Sequence, residues 1–364
     1  MTRPARRIIH LASGREWRGG QNQVVLLTRA LAETTSDFQQ VVVTGRGTLL
    51  AQRLKAAGVP VREVGWRLGL SFGALAGALA ETRRGPALFH AHDAHSLTLA
   101  GFAARVTRFP FVVTRRVDFP LRRPGFWASA DRVIAISEAV RRVLVGDGIR
   151  SSRIVTVHSG IDVERARNTT AGAIRAELGV PDGARLAVSV GALVDHKDHA
   201  TLIEAAAALR SRQPDLHWVI AGEGELRSRL EGQIGRLGLQ DRVHLPGHLA
   251  EPLRLIATAD VFVMSSKEEG LGTSVLDAMA LGVPIAATSG GGIPEMLGGG
   301  AGLLSEPRNA PALAASVDRL LREGPLRDSV RRAATEKVAE FSAEAMANGV
   351  LSVYRSIAES VDLK

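Results

Sequence analysis

The run from residue 261 to 297, VFVMSSKEEGLGTSVLDAMALGVPIAATSGGGIPEML, constrains the fold more than any other stretch of this chain. Residues 261–264 are apolar with β-branched valines, the composition of a buried strand. Residues 265–272 are polar and contain glycine, which makes them a loop. Thr273 or Ser274 can cap a helix reaching about Leu281; Gly282 stands where a helix ends, and Pro284 follows. Residues 285–288 read as the next strand, and Gly290, Gly291 and Gly292 turn the chain into a helix near Pro294. Two such units place two helix N-termini on one edge of a parallel sheet. Free N–H groups and a partial positive charge there suit a phosphate, and the glycines let the backbone approach it.

Two acids flank the first of these helices: Glu269 in the loop and Asp277 about one turn inside. A fully helical path of eight steps would separate them by about 12 Å, and part of the path is loop, which shortens it. A nucleotide diphosphate sugar carries hydroxyls at both ends and a diphosphate between. One carboxylate can take hydroxyls of the sugar and the other those of the ribose, because each accepts two hydrogen bonds from a vicinal diol.

The stretch closely resembles the acid-x7-acid motif of retaining GT-B glycosyltransferases, glycosyltransferase family 4 in particular. The motif stands here as Glu269-Gly270-Leu271-Gly272, then Asp277-Ala278-Met279-Ala280-Leu281-Gly282-Val283-Pro284, and the match runs on through Gly291-Gly292-Ile293-Pro294-Glu295. Asp277 replaces the family's usual Glu and is one methylene shorter, so the departure falls on the ribose contact. The plain alternative is a βαβ crossover with solvated acids.

Composition sets the outer bounds. A chain of 364 residues suggests two domains. It contains no Cys, which excludes disulfides, Cys-zinc sites and a thiol nucleophile. No run approaches 18 apolar residues, and residues 8–12 are too short for a signal-peptide core, so the expected location is cytoplasmic. Charge is uneven. Residues 1–160 hold 24 Arg and Lys against 10 Asp and Glu, a net +14; the remainder holds 22 against 27, a net −5, and together these give the chain's +9. A basic N-terminal half suits an anionic partner: a phospholipid surface, a phosphorylated glycolipid or nucleic acid. With only five Lys, an Arg-rich surface of no specific purpose is the alternative.

In the N-terminal half, strands are expected at 7–11, 40–44, 59–64, from 87 to the histidines, and at 111–114, 131–137 and 154–157. Helices are expected at 24–32, 49–57 and 71–84, and from Glu138 through Val145. Residues 12–23 read as a loop, with Gly19 and Gly20 just before the helix. No Gly-x-Gly-x-x-Gly follows the first strand, against a dinucleotide cofactor. His90, His92, Asp93 and His95 fall within six residues at a strand end. They suggest a metal site, but two strand residues two apart face the same way only if the strand stays extended. The family resemblance accounts for the cluster better: it places the second His of a His-x-His, here His92, beside the donor sugar and acceptor. Asp93 is then a residue that orients a neighbour or the acceptor. Arg115, Arg116, Arg122 and Arg123 surround Asp118-Phe119-Pro120, and Arg115 or Arg116 can grip a phosphate or carboxylate on the acceptor. The alternative is a solvated loop. The resemblance also assigns amides of Gly19 and Gly20 to the diphosphate and acceptor. It reads residues 158–162 as the passage between domains, with Gly160 absorbing a turn.

In the C-terminal half, strands are expected at 186–190, 216–221, 243–245 and 302–304 beside those already placed. Helices are expected from 198 or 199 to 209, and at 225–237, 252–258, 310–322, 324–340 and 343–361. The resemblance puts Lys197 on the diphosphate; Ala192 stands where the family usually has Arg. Gly222 opens a Gly-Glu-Gly turn that the family shows beside the donor, and His248 and Leu249 lie where it holds the base, largely through backbone. Together with Glu269, Gly270, Leu271, Gly272, Thr273 and Asp277 these form the expected donor site.

The resemblance implies an α/β protein of GT-B architecture, two Rossmann-like doubly wound domains facing across a cleft. The acceptor domain is 1–162 and the nucleotide-sugar domain 163–342. A helix at 343–364, with Met346, Val350, Val353, Ile357 and Val361 on one face, returns to the N-terminal domain. It implies transfer of a hexosyl unit from a nucleotide diphosphate sugar, UDP favoured and GDP-mannose open, to a hydroxyl of a glycan or glycolipid, with retention. Lipopolysaccharide or another cell-surface glycan is the expected product, made at the inner face of the membrane. His92, Glu269 and Lys197 carry the chemistry, with no metal and no cofactor. Two rivals stand: a GT-B nucleotide-sugar epimerase, and a non-catalytic binder of nucleotide sugar or anionic polymer. Nucleic acid is disfavoured, because no helix-turn-helix, zinc finger or aromatic stacking motif is present.

Overall fold

The structure, a computed structural model, describes residues 6–14, 17, 19–66, 71–121 and 123–362. The chain divides into two compact units, one made of the residues up to Gly160 with those from Ser342 onward, the other Ile161–Phe341.

The first unit is built on seven strands: β1 (Arg6–Leu11), β2 (Phe38–Gly45), β3 (Val61–Val64), β4 (Ala87–Ala91), β5 (Phe111–Arg115), β6 (Arg132–Ala135) and β7 (Ile154–Thr156). They pair in parallel in the order β3-β2-β1-β4-β5-β6-β7. A parallel sheet is covered on both faces, which is why its inner strands read as apolar runs and β4 is buried throughout. The order reverses between β1 and β4, so the chain leaves their carboxyl ends in opposite directions and a crevice opens there. Register sets His10 of β1 beside His90 of β4.

The final helix, Ala343–Asp362, belongs to this unit. Its Met346, Val350, Val353 and Ile357 are buried against Ile8, Leu27, Leu31 and Val112, and Tyr354, outside the expected face, is buried with them. Each large apolar side chain so buried contributes about 1.5–3 kcal/mol. The side chain of Val361, like Arg122, lies outside the described residues. Gly349 lets this helix close on the end of β7, since a Cβ there would stand 2.7 Å from Val157 Cγ1. Gly160 is required by crowding of the same kind and not by a turn: its Cβ would meet Ser342 O at 2.6 Å. Gln23 locks the position, donating to Gly160 O (2.7 Å) and accepting from Gly160 N (3.1 Å).

The second unit has six strands: β8 (Arg185–Val190), β9 (Leu216–Ala221), β10 (Val243–Gly247), β11 (Val261–Met264), β12 (Ile285–Thr288) and β13 (Leu303–Ser305). All pair in parallel, in the order β10-β9-β8-β11-β12-β13. The reversal lies between β8 and β11, so the loops that follow these two strands meet.

Several local expectations differ. The first helix spans Gly19–Thr34, so Gly19 and Gly20 form its first turn and the loop is shorter than 12–23. A first turn leaves its N–H groups without intrahelical partners whatever the residue, so glycine there does not mark a loop. A helix at Ala94–Thr107 was not expected; its start is written in Asp93 and Ser96, which form a reciprocal capping box. That helix ends the histidine-bearing strand at Ala91 and leaves His95 exposed in its first turn. The helix expected from residue 225 begins at Arg227. Among the described residues no helix is long and apolar enough to cross a membrane.

Candidate functional site

In the second unit the loop after β8 carries Lys197 at the end of the turn Asp195–Lys197, and the loop after β11 carries Glu269. The Lys197 ammonium bonds the Glu269 carboxylate, and both side chains are largely shielded, 14% and 13% exposed. Hydrogen bonds hold the two loops: Lys267 N donates to His196 O (2.8 Å) and the Ser265 hydroxyl to Lys197 O (2.9 Å). Ser266 Oγ donates to the Glu269 carboxylate at 3.3 Å.

Beside this pair begins the helix Thr273–Ala280. Its N-cap is Gly272, at φ +78°, and no side chain caps it. Thr273 and Ser274 are not the caps expected of them; the Ser274 hydroxyl donates to Val190 O (3.0 Å) instead. The helix end thus presents backbone N–H groups with no side-chain partner, the arrangement that suits a diphosphate. The Gly290–Gly292 turn has a different use from the one anticipated. The helix after it, Ile293–Leu297, is a single short turn, Gly292 N donates to Glu269 O (2.8 Å), and a Cβ on Gly290 would sit 2.3 Å from Ser266 O. This turn braces the Glu269 loop.

Asp277 lies one turn inside the helix. Burial pushes its carboxyl up to about 7, and Arg165, on the helix Val163–Arg167, pulls the other way. Leu271 is buried, 1% exposed as a whole residue. Gly222 packs directly on the β8 loop: a Cβ there would be 1.9 Å from Gly191 O. His248 and Leu249 follow β10 on the same edge, His248 exposed. Ala192 is exposed, and its carbonyl faces His199 Nε2 at 3.2 Å. Lys267, which sequence reasoning passed over, pairs with Asp195 of the Lys197 turn at 2.7 Å.

In the first unit three imidazoles lie buried side by side at the ends of β1 and β4. His90 and His92 are 4.1 Å apart between ring centroids, and His92 and His10 are 5.2 Å apart. His10 Nδ1 and His92 Nε2 share a hydrogen bond of 3.0 Å. His90 meets Tyr354 Oη (2.6 Å) and Thr114 Oγ1 (2.7 Å). Burial holds all three imidazoles neutral, His10 down to about 3. One ring nitrogen from each of the three lies within 4.8 Å of the others, while both His90 nitrogens are engaged by Tyr354 and Thr114 and the facing His10 and His92 nitrogens by each other. His10 was missed because it stands alone in sequence; only the β1–β4 register brings it to the others.

Asp93 is fully used within the fold: Oδ2 accepts from Ser13 N (2.8 Å) and Oγ (3.1 Å), and Oδ1 from Ser96 N (2.7 Å). It ties the loop after β1 to the helix at Ala94. The two arginines diverge. Arg115 donates to Val117 O (3.0 Å) and Phe119 O (2.6 Å) and lies over Trp127. Arg116 reaches inward, its Nη2 3.4 Å from His92 Nδ1, and its shielded Nε has no partner among the described residues. Its Cδ lies 3.6 Å from where a Cβ on Gly20 would be, at the N-terminus of the first helix.

Two doubly wound parallel-sheet units, one with an acid-and-lysine pair beside an open helix end, define a two-unit α/β protein. The description Glycosyltransferase Family 4 matches residues 17–165 and Glycosyl transferases group 1 matches residues 171–337; the chain belongs to this family of glycosyltransferases. It is 29% identical, over 68% of its length and 70% of the relative's, to the lipopolysaccharide core biosynthesis glycosyltransferase LpsE of Rhizobium meliloti. It is 28% identical to 2-deoxystreptamine glucosyltransferase of Streptomyces kanamyceticus, over 93% of this chain and 98% of that one. The structure of Anabaena HepE in complex with UDP-glucose superposes with a TM-score of 0.84 at 20% identity, over 96% of this chain and 99% of that chain, and its fold is the GT-B fold.

Proposed function

We propose that the protein transfers a hexosyl unit, with retention at the anomeric carbon, from a nucleotide diphosphate sugar to a hydroxyl of a glycan or glycolipid. The second unit takes the donor: Lys197 and the open end of the helix at Thr273 meet the diphosphate, Glu269 the sugar hydroxyls and Asp277 the ribose. Gly270, Leu271, Gly272 and Gly222 shape the backbone around it, and His248 and Leu249 flank the base. The bond from the anomeric carbon to the diphosphate oxygen breaks as the acceptor oxygen bonds on the same face. The departing diphosphate takes the acceptor proton, so no separate base is needed, and Lys197 and the helix amides stabilise the charge it gains. No metal or cofactor takes part. UDP is the favoured nucleotide, since a solved GT-B neighbour was determined with UDP-glucose.

His92 and Arg116 of the first unit face the acceptor, Arg116 supplying a cation for a phosphate or carboxylate. Asp93 serves by positioning, and Arg115 by shaping its loop. The basic charge of residues 1–160 favours a membrane-bound acceptor in cell-surface glycan synthesis, reached from the cytoplasmic side. The similarity to a lipopolysaccharide core glycosyltransferase supports this direction.

The observation that carries the proposal is the Lys197–Glu269 pair at the β8–β11 reversal, beside an uncapped helix end. Its test is donor hydrolysis without acceptor across UDP-, GDP- and ADP-sugars, with Glu269→Ala as control. Release of one nucleoside diphosphate, lost in the variant, is expected. No release and no thermal shift with any nucleotide would overturn the donor site and favour the binder of an anionic polymer.

A further inference from the structure

We propose that His10 is a positioning residue for His92, holding it as the tautomer that carries its proton on Nε2 and offers Nδ1 to substrate as a hydrogen-bond acceptor. The inference rests on the reading that His92 faces substrate, and it follows from counting donors and acceptors along one line of side chains. Arg116 has donors only, and its Nη2 lies 3.4 Å from His92 Nδ1, so that nitrogen must present its lone pair. A neutral imidazole then carries its proton on Nε2. His92 Nε2 is 3.0 Å from His10 Nδ1, so His92 donates and His10 accepts. His10 in turn has its proton on Nε2. The Gln40 side chain lies beside His10 and is the group that raises its pKa against the effect of burial. Its amide nitrogen is committed to Thr28 O (2.6 Å), which leaves Oε1 as the acceptor available to His10. His10 Nε2 and Gln40 Oε1 are both buried and have no other hydrogen-bond partner among the described residues.

The line therefore runs in one direction, from Arg116 through His92 and His10 to Gln40. Reversing it would set a His92 Nδ1–H against the guanidinium, donor against donor. His10 is completely buried on β1 and touches no solvent, so it acts through His92 alone. The consequence is chemical: His92 accepts a hydrogen bond from a substrate hydroxyl and does not donate one. One hydrogen bond that orients a functional histidine is worth up to about tenfold in activity.

The test is a long-range proton–nitrogen spectrum of the free protein labelled with 15N-histidine, the His92 signals identified by their loss in His92→Asn. An Nε2-protonated His92 is expected. His10→Phe should convert it to a tautomer mixture and slow donor hydrolysis up to about tenfold, while His10→Gln, which keeps an acceptor, should retain both tautomer and rate. An Nδ1-protonated His92 in the unaltered protein, or an unchanged His92 signal in His10→Phe, would overturn the proposal. Gln40→Leu, a milder change in case His10→Phe does not fold, should disturb the His10 signals; no change in them would remove Gln40 from the line. The spectra need no turnover, so a failure to hydrolyse any donor would count against the transferase reading and leave the tautomer result standing.

Discussion

Lys197 and Glu269, 72 residues apart in sequence, are bonded to each other at the meeting of two loops. Each is the other's counter-ion, in surroundings shielded enough that removing one leaves a charge with poor compensation. Deleting one partner of a shielded pair costs about 3–5 kcal/mol at full burial and less here, where some solvent reaches both; deleting both costs less than the sum. The expected outcome is that Lys197→Met and Glu269→Gln each lower Tm, that the double variant melts above the additive expectation, and that all three lose donor hydrolysis. Thermal denaturation in a double-mutant cycle checks the first part. Strict additivity would mean the pair is not coupled.

Asp277 yields a pH prediction. Its carboxyl is held up at about 7 in the folded chain against an ordinary value of 3.8. The folded state therefore binds the extra proton between about pH 4 and 7. The sign follows: this group makes stability fall as pH rises through that window and leaves it level above. Donor binding runs the other way if the ionised carboxylate takes the ribose hydroxyls. Affinity for the active nucleoside diphosphate should tighten from pH 6 to pH 8, with proton release on binding near pH 6.5. Calorimetry in buffers of different ionisation enthalpy measures that release. Asp277→Asn should flatten the profile; an unchanged profile in the variant would detach Asp277 from the ribose.

Arg115 and Arg116 are adjacent in sequence and opposite in use. Arg115 spends its guanidinium on the carbonyls of its own loop, and Arg116 turns toward His92 and Gly20. Arg116→Ala should raise the KM for an anionic acceptor about tenfold or more, the worth of a charge-assisted contact, with little change in Tm. Arg115→Ala should lower Tm by a few degrees and move KM less. Steady-state kinetics with the identified acceptor, beside melting curves, separates the two. Equal KM effects from both variants would contradict the division.

Much of this was readable in the chain. The inner strands lie on the apolar runs that a buried parallel sheet demands, whereas the edge strand β3 carries Arg62 and Glu63. What was hidden depends on register or on packing. His10 carries no local mark; it joins His92 only because β1 pairs with β4. Arg165 reaches Asp277 from a five-residue helix too short to show a period. Gly19 and Gly20 look like loop residues and are helix, because a first helical turn asks nothing of its amides. Gly290 and Gly292 look like a second phosphate loop, yet their backbone contacts go to the loop that carries Glu269.

Gly222 supplies a prediction in which fold and site are tested together. Its Cα stands so close to the β8 loop that an added Cβ would fall 1.9 Å from Gly191 O, and Gly224 next door would place one 2.3 Å from Leu193 O. The same β8 loop exchanges backbone hydrogen bonds with this turn, Leu193 N to Glu223 O at 2.9 Å and Leu226 N to Leu193 O at 3.0 Å. Backbone cannot yield as the end of a side chain can, so Gly222→Ala must push the loop at 191–197 away. Overpacking of this kind costs about 1–3 kcal/mol, and here the displacement also moves Lys197 relative to Glu269. Donor hydrolysis should therefore fall further than the loss of stability explains. The comparison is made at a temperature where the variant remains folded by circular dichroism. Gly235→Ala, on the helix Arg227–Arg236 with only Gln240 Nε2 at 3.8 Å, is the control and should leave hydrolysis unchanged. Full activity in folded Gly222→Ala would show that the loop tolerates displacement and that the position of Lys197 does not limit the reaction.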